Sequence, residues 1–166
     1  MEIKNLSQTF NVKKLTESNI DDMLALCEKN TFFFEYCPPA PTKKSLLEDL
    51  SALPPNKTLE DKFFVGFYDK NKLVAICDLI SGYPHAQTAF IGLFMLDKAL
   101  QGQGLGTKML NEMFAYLKKS GFKKVELSYI KGNPQSRAFW HKNGFKETGR
   151  EVEMKEYTKV CMERFL

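Results

Sequence analysis

Seven consecutive residues constrain this chain more tightly than any others: Gln101-Gly102-Gln103-Gly104-Leu105-Gly106-Thr107. They follow an apolar run that ends at Leu96. They precede a stretch, Thr107 to Lys119, whose Met109, Leu110, Met113, Phe114 and Leu117 share one helical face. Three alternating glycines keep side chains off the backbone, so N–H groups can converge on an oxygen-rich anion at a helix N-terminus. A diphosphate suits that geometry; a tight strand-to-helix turn with no ligand is the plainer alternative. Spacing argues against two common phosphate loops. A Walker loop needs Lys before its Ser or Thr, and here Thr107 precedes Lys108. A dinucleotide fingerprint needs GxGxxG in a βαβ unit, whereas these glycines are evenly spaced and the strands before them read as antiparallel.

The rest of the chain must build a core around that loop. Its 166 residues fit one domain over 1–166, and 43% hydrophobic and 13% aromatic content excludes a disordered chain. The longest apolar run, Phe90 to Leu96, falls far short of the ~20 residues that cross a bilayer. The opening MEIKNLSQTF has no apolar signal core, so a cytoplasmic protein with no membrane partner is expected. The net charge of +4 is scattered in pairs such as Lys43-Lys44 and Lys118-Lys119, without the basic stripe of a nucleic-acid binder. Cys27, Cys37, Cys77 and Cys161 lie far apart and the histidines are only His85 and His141, so reduced thiols and no metal are expected.

Local patterning supplies an element order. Phe10 to Leu15 predicts a short strand. Ser18 predicts an N-cap, with Asp21 in a loose capping box and Ile20, Met23, Leu24 and Cys27 at helical spacing. Pro38, Pro39 and Pro41 rule out a continuing helix after Asn30. Thr42 starts a second helix carrying Leu46, Leu47, Leu50 and Leu53, and Pro54-Pro55 stops it. Phe63–Tyr68 and Leu73–Ile80 flank Asp69-Lys70-Asn71-Lys72, a hairpin signal. Thr88–Leu96 and Val125–Ile130 predict strands. Asn133-Pro134 opens a helix that closes at Asn143-Gly144, and Phe145–Gly149 and Tyr157–Phe165 predict two last strands. The fold class is mixed α/β, with about four helices.

Two segments carry a family resemblance. Gln101-x-x-Gly104-x-Gly106 is similar to the Q/R-x-x-G-x-G/A loop with which the GNAT N-acetyltransferase superfamily holds the acyl-CoA pyrophosphate. Asn133-x-x-Ser136-x-x-Phe139-Trp140-x-Lys142-x-Gly144-Phe145 resembles that superfamily's N-x-x-A/S-x-x-F/L-Y/W-x-K-x-G-F segment. The element order also resembles that fold, so the resemblance spans nearly the whole chain. It implies a mostly antiparallel sheet, splayed open beside the strand before the loop, with acetyl-CoA as co-substrate in the V-shaped gap. It implies that Gln101 and the backbone of Gly102, Gln103, Gly104, Leu105, Gly106 and Thr107 hold the diphosphate. It puts the Leu96 backbone on the pantetheine arm or the thioester carbonyl, and Asn133 at the mouth of the gap. A helix cap explains Asn133 equally well, and Phe139 reads as core. The implied partner is a small-molecule or peptide amine acceptor; a homodimer is compatible with this reading.

Acetyl transfer needs a neutral amine, a stabilised oxyanion and a leaving thiolate. Some family members place a Glu in the strand before the loop, where this chain has Phe90, so no base carries over. Asp78, inside apolar Ile76-Cys77-Asp78-Leu79-Ile80, is the independent candidate, because apolar flanks raise a carboxyl's pKa. A structural carboxylate is the alternative. Glu35 and Tyr36 sit where this fold borders its acceptor pocket, while Phe32 to Phe34 read as core and His85 as a turn residue. The family's thiolate-protonating Tyr falls at Trp140, a site contact whose indole donates a hydrogen bond but is no acid near neutrality. Tyr129 is then the alternative acid. No cysteine is placed by motif for an acyl-enzyme, so direct transfer in a ternary complex is expected. A non-catalytic acyl-CoA-binding module is the alternative that Phe90 and Trp140 favour. The acceptor stays open among small amines, antibiotics, polyamines, peptide N-termini and lysine, and the acyl group between acetyl and slightly longer.

Overall fold

In the computed structural model, which describes residues 1–166, the chain reverses after Asp69 through Lys70 and Asn71 and pairs Asp69 with Lys72. Lys70 has φ 54°, the left-handed conformation that a two-residue hairpin turn demands. The strands it joins are β2 (Lys62–Asp69) and β3 (Lys72–Ser81). Adding β1 (Asn11–Lys14), β4 (Thr88–Leu96), β5 (Lys124–Ile130), β6 (Lys146–Glu153) and β7 (Thr158–Phe165) gives a 7-stranded sheet of order β1-β2-β3-β4-β5-β7-β6. Every pairing is antiparallel except that of β4 with β5.

Five α-helices cover the sheet: α1 (Ile20–Glu28), α2 (Thr31–Tyr36), α3 (Lys43–Ser51), α4 (Leu105–Lys119) and α5 (Pro134–Lys142). α2 is the one that sequence patterning omits. The apolar run before Pro38 completes a short turn of helix, and the steric restriction before a proline then ends it at Tyr36. The start of α1 also differs from expectation. Thr16, not Ser18, forms the capping box, with the Asn19 side chain accepting from its N–H at 3.0 Å, and a 3-10 turn over Glu17–Asn19 leads into the helix. α3 and α5 start where their caps predict: Thr42 Oγ1 accepts from Ser45 N–H at 3.1 Å, and Asn133 Oδ1 accepts from Ser136 N–H at 2.9 Å.

Apolar side chains fill both faces of the sheet. On one face, Met109, Leu110, Met113 and Leu117 of α4 are fully buried against Leu79, Ile91 and Leu127. Burial of each is worth about 1.5–3 kcal/mol. On the other, Met23, Leu26 and Leu46 from α1 and α3 pack on Phe64, Ile76 and Met95. Cover on both faces explains why β3 reads as continuously apolar, with Asp78 as the exception.

The sheet comes apart at one place. β4 and β5 pair only over Thr88–Ile91 and Lys124–Leu127. Across β3, Asp78 stands opposite Leu93 while Leu79 stands opposite Ile91, so Gly92 is the extra residue of a bulge. From Gly92 onward β4 diverges from β5.

Candidate active site

Separation of the two strands leaves a cleft of about 650 Å³. The start of α4 forms one end. Gly104 caps α4 with φ 80° and Gly102 has φ 77°, both left-handed, and no atom lies within 4 Å of a Cβ built on either. The first backbone bond onto the cap runs from Lys108 N–H to Gly104 O at 3.0 Å, so the N–H groups of Leu105, Gly106 and Thr107 lack helical acceptors. Bare N–H groups aligned with the helix dipole can hold an anion, a diphosphate among them. Gly106 is glycine for a different reason: its Cβ would lie 3.2 Å from Phe139 Cε2. Gln101, Gly102, Gly104, Gly106 and Thr107 line the cleft, whereas Gln103 and Leu105 do not. Gln103 donates instead to Ala99 O at 3.0 Å.

The end of β4 supplies donors to the same cleft. Asp97 N–H bonds Val74 O at 2.8 Å on the β3 side, so strand alternation turns the N–H groups of Phe94 and Leu96 toward the gap. The Leu96 carbonyl is already held. Asn30 Nδ2 donates to it at 3.2 Å and Gln101 Nε2 at 3.1 Å. Gln101 Nε2 also donates to Asn30 Oδ1 at 2.7 Å, and Gln101 Oε1 accepts from Gln135 at 3.2 Å. Gln101 therefore ties the loop to the end of α1, to β4 and to α5. Asn30 is one residue that the sequence does not single out, because a polar residue after a helix is too common a signal.

At the other end of the cleft stands Asp78. Lys62 Nζ donates to both its carboxylate oxygens at 2.8 Å, with the Lys62 side chain only 2% exposed. The carboxylate lies over the bulge, where a Cβ on Gly92 would come within 2.7 Å of Oδ2. Burial pushes the Asp78 carboxyl up, Lys62 pulls it back down, and Asp49 on α3 raises it again. Asp49 is itself raised by desolvation and lowered by Lys62. Lys62, Asp49 and Tyr157 were not foreseen. Burial pushes the Tyr157 hydroxyl up to about 12, and it faces the Cys37 thiol, also raised by burial.

The remaining expected residues take other positions. Tyr129 lines the cleft, but its hydroxyl donates to Glu147 Oε1 at 3.0 Å. Glu147 also binds Arg137 at 3.0 Å and His141 at 3.2 Å. Burial, then Glu147, raises the Tyr129 hydroxyl. Trp140 borders the cleft from within an aromatic cluster, with ring centroids 5.1 Å from Phe139 and 5.2 Å from Phe145. Asn133 is 1% exposed, caps α5 and does not line the cleft. Phe90 lines the cleft wall, so that position supplies no carboxylate. No three His, Cys, Asp or Glu side chains converge to hold a metal ion, and no helix is long and apolar enough to cross a membrane.

Comparison with known proteins agrees with this geometry. Residues 24–145 match the model of the acetyltransferase (GNAT) family. An uncharacterized N-acetyltransferase of Methanocaldococcus jannaschii is 28% identical over 152 residues; the match covers 89% of this chain but only 65% of the relative. An acetyltransferase from Thermus thermophilus superposes with TM-score 0.76 at 23% identity, covering 95% of this chain and 97% of that one. PaiA N-acetyltransferase from Thermoplasma acidophilum, solved in complex with coenzyme A, superposes with TM-score 0.68 at 17% identity, covering 96% and 100%. The overall fold is thus shared with these structures, and the chain belongs to the GNAT acetyltransferase family.

Proposed function

We propose that this protein transfers the acetyl group of acetyl-CoA directly to an amine within a ternary complex. One observation carries the reading: a single cleft runs from the bare N–H groups of α4 to the Asp78 carboxylate. A thioester anchored by its diphosphate at α4 and laid along β4 brings its carbonyl to the N–H groups of Phe94 and Leu96. Donors fixed there before reaction stabilise the developing oxyanion.

Asp78 takes the proton of the attacking amine. Its raised pKa makes it a better base, and Lys62 keeps enough negative charge on it to act. The C–N bond forms, the C–S bond breaks, and the thiolate leaves unaided, since an ordinary thiol pKa is about 8.5. Direct transfer is favoured over an acyl-enzyme by the cysteines. Cys37 is the cysteine that lines the cleft, and burial pushes its thiol up, so it is no ready thiolate nucleophile; Cys27, Cys77 and Cys161 lie outside the lining.

Thiol release from acetyl-CoA, followed across pH with an amine panel, tests the reading. Asp78→Asn is nearly isosteric and should fold, lower the rate at neutral pH and flatten the acid limb. An unchanged profile in the folded variant refutes Asp78 as base. Acetyl-CoA binding without thiol release for any amine favours a binding module.

A further inference from the structure

We propose that the acceptor is a small primary amine with an aromatic or branched apolar body, held in a chamber roofed against polypeptides. The proposal rests on the acetyltransfer reading and adds the class of acceptor.

The roof comes from α2 and the residue after it. Although β4 and β5 separate beyond Ile91, the two halves of the molecule meet again above the gap. The Tyr36 ring on the β1–β4 side reaches the turn between β5 and α5, where a Cβ on Gly132 would lie 3.9 Å from Tyr36 Cε1. Gly132 has φ 90°, so the turn passes close beneath the ring in a conformation that glycine favours. Cys37, just after α2, and Tyr157, in the turn between β6 and β7, both line the cleft. Tyr36 and Gly132 lie beside the lining rather than in it, and with Cys37 and Tyr157 they tie the two walls of the cleft together as a strap. A polypeptide acceptor needs an uncovered groove or strand edge along which its backbone can lie, and the strap covers that route.

The walls under the strap fix the body of the acceptor. Phe33, Phe34, Phe64, Phe90 and Leu93 line this part of the cleft, with Phe33 and Phe34 edge to face at 5.0 Å. Such walls receive an aromatic ring or a branched alkyl group by burying it, and offer few partners to a polar body. Charge decides against a polycation. Asp49 and Asp78 are the carboxylates of the lining, Lys62 pairs with Asp78 from behind it, and Lys159 lines the cleft as well, so two carboxylates stand against two ammonium groups. The Lys159 ammonium stands 5.9 Å over the Tyr157 ring, and Lys142 adds a further cation to the lining. With no surplus of negative charge, the chamber has nothing to hold a second or third ammonium. One amine, which gives its proton to Asp78 as its nitrogen bonds the acetyl carbon and the thiolate departs, is what it accommodates.

The test measures kcat/KM by thiol release with phenethylamine and isoamylamine, against spermidine and a short peptide with a free N-terminus and one lysine. The apolar monoamines should exceed the peptide and spermidine by at least about tenfold, the discrimination expected of an apolar pocket. Tyr36→Ala, or Tyr157→Ala as a second opening of the strap, should raise the peptide's rate relative to the monoamines by a similar factor. Peptide or spermidine turnover equal to that of the monoamines overturns the class while leaving acetyl transfer standing. An unchanged peptide ratio in both folded variants overturns the strap. No thiol release with any amine from protein that binds acetyl-CoA overturns the transfer reading and this one with it.

Discussion

Replacing Lys62 by Met isolates the electrostatics of the cleft. The ammonium contacts both oxygens of Asp78 at 2.8 Å, and the side chains are 2% and 18% exposed. Breaking a buried pair from one side costs about 3–5 kcal/mol, because the remaining charge stays buried without its partner. The variant can avoid much of that cost by keeping Asp78 protonated, and this sets the pH dependence. Burial already holds the Asp78 pKa above its unfolded value. A raised carboxyl contributes stability that is fully present below its unfolded pKa and is lost as pH rises through the folded one. Without Lys62 the folded pKa rises further, and Asp49 remains as the only charge facing Asp78. Lys62→Met should therefore unfold near the wild-type urea midpoint at acid pH and fall behind it progressively toward neutral pH. The acid limb of its rate profile should move to higher pH, and Lys62→Arg should restore part of both losses. An equal loss of stability at all pH values, or an acid limb that stays in place, refutes the reasoning.

Gly104→Val should abolish acetyl-CoA binding in a calorimetric titration, since a β-branched side chain at φ 80° would project into the open cradle. Its fold should survive at a cost of about 1–2 kcal/mol for the left-handed conformation, read from urea unfolding. Gly92→Ala should displace the Asp78 carboxylate, whose Oδ2 lies 2.7 Å from the new methyl, and lower kcat with acetyl-CoA affinity unchanged. Trp140→Phe should cost on the order of 1–2 kcal/mol of stability and leave the rate rising with pH to a plateau, because the thiolate needs no protein acid. A bell-shaped wild-type profile whose alkaline limb vanishes in Tyr129→Phe contradicts that last expectation.

Features with local causes were legible in the sequence. Asn133-Pro134 starts α5 because cap and first-turn chemistry are confined to a few residues, and the same holds for Thr42 at α3 and the turn at Lys70-Asn71. The turn into α4 was legible because its left-handed positions, Gly102 and Gly104, fall within a few consecutive residues. Features that depend on register were not. Lys62 meets Asp78 only because β2 and β3 pair Phe64 with Asp78 and Lys62 with Ile80, which puts the ammonium diagonally beside the carboxylate. Asn30 and Gln101 lie 71 residues apart and meet on the Leu96 carbonyl, and Tyr157 reaches Cys37 from the far side of the sheet. α2 is not legible because Pro38, Pro39 and Pro41 signal a helix break without showing that a short helix, Thr31–Tyr36, precedes it.

Initial rates with acetyl-CoA varied at several fixed concentrations of an accepted amine test the central claim most directly. Direct transfer inside one cleft requires both substrates to be bound before any product leaves. The double-reciprocal lines should therefore intersect, and protein incubated with acetyl-CoA alone should keep its mass and release no thiol. Parallel lines, together with an acetylated protein formed in the absence of amine, contradict the account.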